Sequence, residues 1–547
     1  MQTLNWSITS GHRRPDGVRK KVYLINGVFP GPTIEARSGD TLQILVRNDL
    51  EDEEISLHWH GLYMRGANTM DGATGVTQCG IGPGKSFWYN FTISEAQSGT
   101  FWYHAHSNVQ RADGLYGGFV VHRPVSPSFP NVRGLFEKHR GLNDNMSGEM
   151  RVPDSVEYVY DKELLLMIGD WYHRTAQDVA SWYLWWGSRG YEGKGSITAL
   201  FDRGMSTDNP RSLTGITLGV AKGKLEVITL DGGIPVETKP HVNDKSSAGV
   251  LFPGQRMDFI LRPPKDRGDH YSWITVKLDE SDFKIGNPAL EPLQSFPILL
   301  SPVSSSSLLS IQPDTLEDEK NIISSESNII DIQNLSSTPT ILAALPSKAE
   351  QIHVVYAKVE KLSRLQNIPH GFFNRTTWKM QSNPAYPLLG LARNQWDKHQ
   401  LAITTGDRPV WIDFIVNNLD EGAHPFHLHG HNFYVVAVDQ SADGSTWGSY
   451  NPWSKNKIKN GPYLQDGNSE VVLYDLSKAV LRDTVQIPRR GYAVLRIRAD
   501  NPGVWLFHCH VMWHLVGGMA MLIDSMNGSD DVAHQPWLAV EGSECRV

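Results

Sequence analysis

Cysteine is scarce in this chain, with three in 547 residues. That excludes a disulfide-held scaffold and zinc modules built on closely spaced cysteine pairs. No apolar run approaches the roughly 18 to 20 residues that a membrane-crossing helix needs. No long Lys/Arg cluster occurs, and 51 basic against 59 acidic side chains give a formal charge of -8. Nucleic acid is therefore not an expected partner. No long amphipathic helix stands out. The opening residues, MQTLNWSITSGHRRPDG, lack the basic-then-apolar pattern of a secretory signal. Two readings remain there: a cytosolic protein, or one whose leader is missing from this chain.

What is present points to β structure. At about 150 residues per domain the length suggests three or four domains, and 40% hydrophobic residues suffice for several cores. The chain holds 17 Trp, 18 Tyr, 18 Phe and 49 Gly; aromatics suit pleated faces and Gly suits turns. Six N-x-S/T sequons occur, at Asn5, Asn90, Asn145, Asn334, Asn374 and Asn527. Chance would give roughly three, so they lean towards secretion.

Strand-like runs fill residues 20–125, among them Thr41 to Arg47 behind the turn Ser38-Gly39-Asp40. A polar stretch at 126–155 reads as a linker. Leu164 to Ile168, Leu225 to Leu230, Arg256 to Leu261 and Ser272 to Val276 read as strands of a second unit at 155–300. The Ser-rich stretch 301–350 reads as an exposed linker, and strands resume at Gln351 and run to about Ile523.

An internal repeat says more than any one strand. Ser98-Gly99-Thr100-Phe101-Trp102-Tyr103-His104-Ala105-His106 resembles Pro502-Gly503-Val504-Trp505-Leu506-Phe507-His508-Cys509-His510. Gly39-Asp40 leads to His58-Trp59-His60-Gly61 as Gly406-Asp407 leads to His427-Leu428-His429-Gly430. The first and last units thus read as copies of one β design.

The repeat carries the chemistry. With 21 histidines, chance predicts roughly 0.8 H-x-H pairs. Five occur: His58/His60, His104/His106, His427/His429, His429/His431 and His508/His510. On a strand, i and i+2 share a face, so each pair presents two imidazoles side by side. Four pairs, two from each end unit, can converge and offer eight nitrogens. Imidazole without carboxylate suits copper, zinc, iron or nickel rather than magnesium or calcium. Cys509 lies between His508 and His510, so its sulfur points to the opposite face. His514 follows it, then Met519, and His424 opens the run to His431. One Cys, two His and a Met form the ligand set of a blue-copper electron-transfer site.

On these motifs the chain resembles the three-domain multicopper oxidases, the family of laccases, ascorbate oxidases and ferroxidases. The phrasing Asn26 to Asp40, Arg482-Asp483-Thr484 and Arg489-Arg490-Gly491-Tyr492 is most similar to fungal members, which include pigment-forming oxidases. The resemblance implies an all-β chain of three cupredoxin-like Greek-key domains, at 1–125, 155–300 and 351–547. It implies four coppers. His424, Cys509 and His514, with Met519 axial, would hold type 1 copper; His58 and His427 type 2. His60, His104 and His510 would hold one type 3 copper, and His106, His429 and His508 the other. Asp71 and Asp113 match acidic positions that serve the cluster in relatives, although both stand in Asp-Gly turn pairs. The acidic residue that relatives often carry three places after the type 1 cysteine is Met512 here. The resemblance also implies a Cys79–Cys545 disulfide, which fits an oxidising compartment.

The expected activity is oxidation of a small phenolic or related aromatic donor, one electron at a time, with O2 reduced to water, in pigment or secondary-metabolite synthesis. The expected protein is a monomer, secreted or in the cell wall, partnered by donor and O2. Asp420 and Glu192 resemble the iron-binding carboxylates of fungal ferroxidases, which makes Fe(II) oxidation the second reading. After Glu192 the pattern of relatives breaks through 193–211, as in a shortened second domain or a faulty gene model. Iron-uptake ferroxidases carry a C-terminal membrane helix, and this chain ends without one. A non-enzymatic copper or electron carrier is the third reading, but a carrier has no use for eight cluster histidines.

Overall fold

The structure is a computed structural model. It describes residues 1–123, 160, 162–169, 171–185, 215–221, 223–237, 245–263, 271–279, 292–299, 328–440, 450 and 474–528. Strands dominate, in six sheets. Two sheets are formed by strands between Gln2 and His122, two by strands between Ile216 and Ser337, and two by strands between Gln351 and Ser525. Helices are short; Ala176–Tyr183 and Met512–Val516 matter for the site.

The end units share a core strand order, to which the last adds three strands. In the first, Gln2–Arg13 runs parallel to Thr41–Asn48, and Leu57–His60 pairs antiparallel with Gly99–Ala105. In the last, Gln351–Lys361 runs parallel to Val410–Asn418, and His424–Leu428 pairs antiparallel with Gly503–Cys509. Alternating burial in Thr41–Asn48 puts Leu42, Ile44 and Val46 into the core. The strands that carry histidines differ. Every residue of Leu57–His60, His424–Leu428 and Gly503–Cys509 is buried. One face of each packs on its own core, and the other faces the junction of the first and last units.

Two expectations need correcting. Leu164 to Ile168 belongs to no strand, and Leu164, Leu166, Met167 and Ile168 are exposed. Apolarity alone does not make a strand. The stretch 301–350 is more than a linker. Ile329–Asp331 runs parallel to Ser247–Leu251, and Ser336–Ser337 pairs with Ile234–Glu237. Residues 126–155 and 193–211, Glu192 and Cys545 lie outside the described residues.

Candidate metal centre

Strand register brings the histidines together. His58 stands directly opposite His104, and His427 opposite His508. Because side chains alternate, Phe426 and Cys509, the next residues along, form the opposed pair on the other face. Behind Cys509 the Phe426 and Phe507 rings stack at 5.2 Å.

The two histidine-bearing sheets meet ring against ring. His58 stacks on His429 at 3.7 Å between centroids, and His60 stacks on His427 at 3.7 Å. His510 lies 4.9 Å from His60. Three-residue groups with ligand atoms within 4.8 Å of one another are His58/His60/His104, His58/His427/His429 and His106/His429/His508. The eight histidines of the His58/His60, His104/His106, His427/His429 and His508/His510 pairs are therefore gathered in one cluster. His424, Cys509 and His514 form a separate group. There the sulfur is 3.8 Å from His424 Nδ1 and 3.5 Å from His514 Nδ1, and the two nitrogens are 3.2 Å apart. Met519 is buried alongside. Its N–H donates to the His514 carbonyl at 2.9 Å, and its carbonyl accepts from Cys509 N–H at 3.0 Å.

Hydrogen bonding leaves the right atoms free for metal. Nδ1 of His58, His104 and His427 is engaged by the main-chain oxygens of Asp71, Ala105 and Asp483, at 2.8, 2.9 and 2.9 Å. A carbonyl only accepts, so each Nδ1 carries the proton and each Nε2 presents a lone pair. Those three Nε2 atoms are buried without a hydrogen-bond partner, as is His60 Nδ1. His429 Nδ1 is held by Asp71 Oδ2 at 2.8 Å and His508 Nδ1 by the Cys509 carbonyl at 3.0 Å. Their Nε2 atoms then face each other at 3.1 Å, lone pair against lone pair. A cation resolves that repulsion, so the residues present fit a metal centre of imidazole ligands.

Burial supports the same state. It lowers the basicity of His60, His104, His106, His508 and His510 well below the ordinary imidazole range, so they stand neutral. Burial pushes the Cys509 thiol up, and only a bound cation would make it a thiolate at neutral pH. Burial also opposes ionisation of Asp71, but the imidazoles of His429 and His58 outweigh it and hold the carboxyl below its usual range. Asp71 thus sits against the cluster.

Asp113 does not. Its carboxylate pairs with Lys20 at 2.7 Å and accepts from Ala176 N–H at 2.9 Å, and no bond to a cluster histidine is among its described contacts. It anchors the helix Ala176–Tyr183, whose Tyr183 ring lies 6.2 Å from His514. Asp420 accepts from His424 Nε2 at 3.2 Å. Burial works against its ionisation, but that hydrogen bond brings it down to about 2. Cys79 is disulfide-bonded and Cys509 is free.

Sequence reasoning passed over Asp483, Thr484, Arg256 and Arg111. Asp483 Oδ1 lies 3.5 Å from His60 Nε2 and from His427 Nδ1, and Thr484 Oγ1 lies 3.2 Å from His427 Nδ1. Arg111 donates to the His510 carbonyl at 2.8 Å. Arg482-Asp483-Thr484 stood out only as phrasing, since nothing in a lone strand start reveals what it will face.

Sequence models described as multicopper oxidase match residues 7–126 and 360–529. The chain belongs to the multicopper oxidase family. It is a copper-dependent oxidoreductase that uses O2 as electron acceptor. Among its relatives is an iron transport multicopper oxidase of Gibberella zeae, 29% identical over 530 residues that cover 92% of this chain and 73% of the relative. Laccase-1 of Cryptococcus neoformans is 27% identical over 559 residues, covering 95% and 79%. Among solved structures, Fet3p, described as a multicopper oxidase that functions in iron import, superposes with a TM-score of 0.74. It is 23% identical, covering 99% of this chain and 93% of that one. The likeness confirms an all-β, cupredoxin-like fold. No helix among the described residues is long and apolar enough to cross a membrane.

Proposed function

We propose that this chain is a four-copper oxidase that takes single electrons from a small phenolic or related aromatic donor at the His424 edge. His424, Cys509 and His514, with Met519 beside them, would hold type 1 copper, His58 and His427 type 2, and His60/His104/His510 and His106/His429/His508 the type 3 pair. The observation that carries this reading is the alternation at His508-Cys509-His510. One strand end turns its sulfur towards His424 and His514 and its two imidazoles towards the eight-histidine cluster. Copper bound there supplies one-electron uptake from the donor and four-electron reduction of O2 to two waters. The protein supplies the path between the two sites, which is the main chain of three consecutive residues. It also excludes water from both sites by burial and holds a carboxylate, Asp71, against the cluster for proton traffic.

The donor assignment rests on the surroundings of the His424/His514 pair. Tyr183 lies beside His514, and the Trp513 and Tyr172 rings pack next to it, 5.6 Å apart. Asp420 is already engaged by His424 and by the N–H groups of Val359 and Glu421, at 3.2 and 2.9 Å. Aromatic surroundings suit an aromatic donor, and a committed carboxylate is a poor ligand for a cation. Fe(II) oxidation is the second reading, favoured by the iron-transport names of the relatives and by Asp420 itself. Glu192 belongs with that reading. Steady-state kinetics with a phenol and with Fe(II) test both. Phenol turnover exceeds Fe(II) turnover in the wild type, and Asp420→Ala lowers any Fe(II) turnover far more than phenol turnover. A wild-type preference for Fe(II) that collapses in Asp420→Ala reverses the assignment.

A location outside the cytoplasm belongs to the same proposal, in a secreted or cell-wall protein. Asn5, Asn90, Asn334 and Asn374 of the sequons are exposed, and Cys79 is oxidised.

A further inference from the structure

The middle pair of sheets contributes none of the assigned copper ligands, yet one of its turns touches the cluster on three consecutive residues. A Cβ on Gly254 would lie 3.1 Å from the His510 ring, so the turn packs closely against that imidazole. Gln255 donates to the Thr484 carbonyl at 3.2 Å. Arg256 grips the Asp483 carboxylate with both arms of its guanidinium, at 2.6 and 2.7 Å. The same guanidinium donates through Nε to the Thr100 carbonyl of the first unit at 3.3 Å and through Nη1 to the Gly254 carbonyl at 3.2 Å. Asp231 Oδ1 accepts from Arg256 N–H at 2.9 Å and fixes the residue from behind. One buried arginine therefore joins all three units within reach of the cluster.

The first unit leaves room for it. Gly61, directly after His60, has φ +91°, and a Cβ there would meet Arg256 Nη2 at 2.5 Å and Asp483 Oδ2 at 2.9 Å. The glycine that ends His58-Trp59-His60-Gly61 is the space into which the ion pair fits.

We propose that Arg256 is a positioning residue for type 2 copper. It fixes Asp483 behind His427, so that the main-chain oxygen of Asp483 keeps the proton on His427 Nδ1 and Nε2 stays turned to the metal. The proposal rests on the assignment of type 2 copper to His58 and His427. Its physical basis is that Asp483 Oδ1 lies 3.5 Å from His60 Nε2 and His427 Nδ1, the nitrogens opposite those left free for metal. The trio His60/His427/Asp483 also satisfies the spacing of a metal site on its own. Without its arginine the buried carboxylate loses two charge-assisted hydrogen bonds and turns to the nearest donors, the imidazoles of His427 and His60, which tilts His427 from its place. With both oxygens bound to one guanidinium, the carboxylate is occupied, and Nε2 of His427 stays free for copper.

The test uses the full-length, copper-loaded protein. In Arg256→Met, the electron paramagnetic resonance signal of type 2 copper is expected to change its hyperfine splitting. Copper at that site is expected to be lost to a chelator about tenfold faster or more, while the blue absorption of Cys509 per chain is unchanged. Arg256→Lys keeps the charge without the fork; it is expected to restore the signal's shape and only part of the retention. Type 2 copper with wild-type signal and retention in Arg256→Met overturns the proposal. If Arg256→Met does not fold, Arg256→Lys decides, and wild-type retention there overturns the proposal equally. His427→Ala separates this inference from the assignment beneath it. Loss of type 2 copper in His427→Ala with full retention in the Arg256 variants refutes the arginine's role alone. Retention in His427→Ala refutes the assignment itself.

Discussion

Cys509 is the residue on which the two sites meet. Its sulfur belongs to one group and its carbonyl engages His508 Nδ1 of the other at 3.0 Å. No other cysteine among the described residues is free, so a thiolate–copper bond has a single source. Cys509→Ser is expected to abolish intense blue absorption and donor oxidation while the chain still folds, because serine nearly matches cysteine in size. An absorption spectrum and the far-ultraviolet circular dichroism of the copper-loaded variant check this. Retained blue colour would move the electron-entry site elsewhere. At the same scale, Asp113 shows that nearness in sequence is not contact. Seven residues after His106, it is close in sequence to the cluster, yet its charge goes to Lys20 and to the start of a helix.

At the scale of the element, period-two alternation divides labour within one strand. Phe507 and His508 are neighbours in Gly503–Cys509, both buried, on opposite faces. Phe507 stacks on Phe426 and meets Phe414 edge-on at 4.9 Å, so Phe507→Ala leaves a cavity and costs about 3 to 5 kcal/mol of stability. His508→Ala is expected to abolish O2 reduction yet leave Cys509 with a copper that the donor still reduces. Thermal unfolding and stopped-flow bleaching of the blue band distinguish the two. A His508→Ala protein with normal oxygen uptake would remove that histidine from the cluster. The same alternation made these strands legible in the sequence. Each H-x-H pair fixes a face, and the duplication of Gly503 to His510 against Gly99 to His106 fixes which strands are equivalent. What escaped was whatever depends on a partner strand. Leu164 to Ile168 has the composition of a strand but forms none. Ser336–Ser337 has no apolar signature, but pairs with Ile234–Glu237 because the middle sheet passes there. Asp483 and Arg256 are 227 residues apart, and only the assembled units bring them to 2.6 Å.

For the whole molecule, closing the three units around the cluster buries imidazoles that free peptides would expose, and this couples stability to pH. His431 isolates the effect because it lies outside every assigned copper set. It is 5% exposed, packed edge-on against Trp505 and held by the His429 carbonyl, and its Nε2 has no partner. Burial lowers it from 6.5 to about 4, with Arg65 opposing protonation and Asp500 and the His429 carbonyl favouring it. The unfolded chain takes its proton near the ordinary value while the folded chain refuses it. The cost of burying His431 is therefore absent above about pH 6.5, grows as pH falls from there to about 4, and is constant below. His431→Gln keeps a polar group of similar reach without titrating. Its stability relative to wild type is expected to be lowest above pH 6.5 and to improve steadily down to pH 4, with copper bound throughout the range in which it is retained. Melting temperatures of the two copper-loaded proteins across that range decide the matter. A difference that does not vary with pH would mean that His431 titrates normally in the folded state, and that the junction between the units admits water as far as the Trp505 ring.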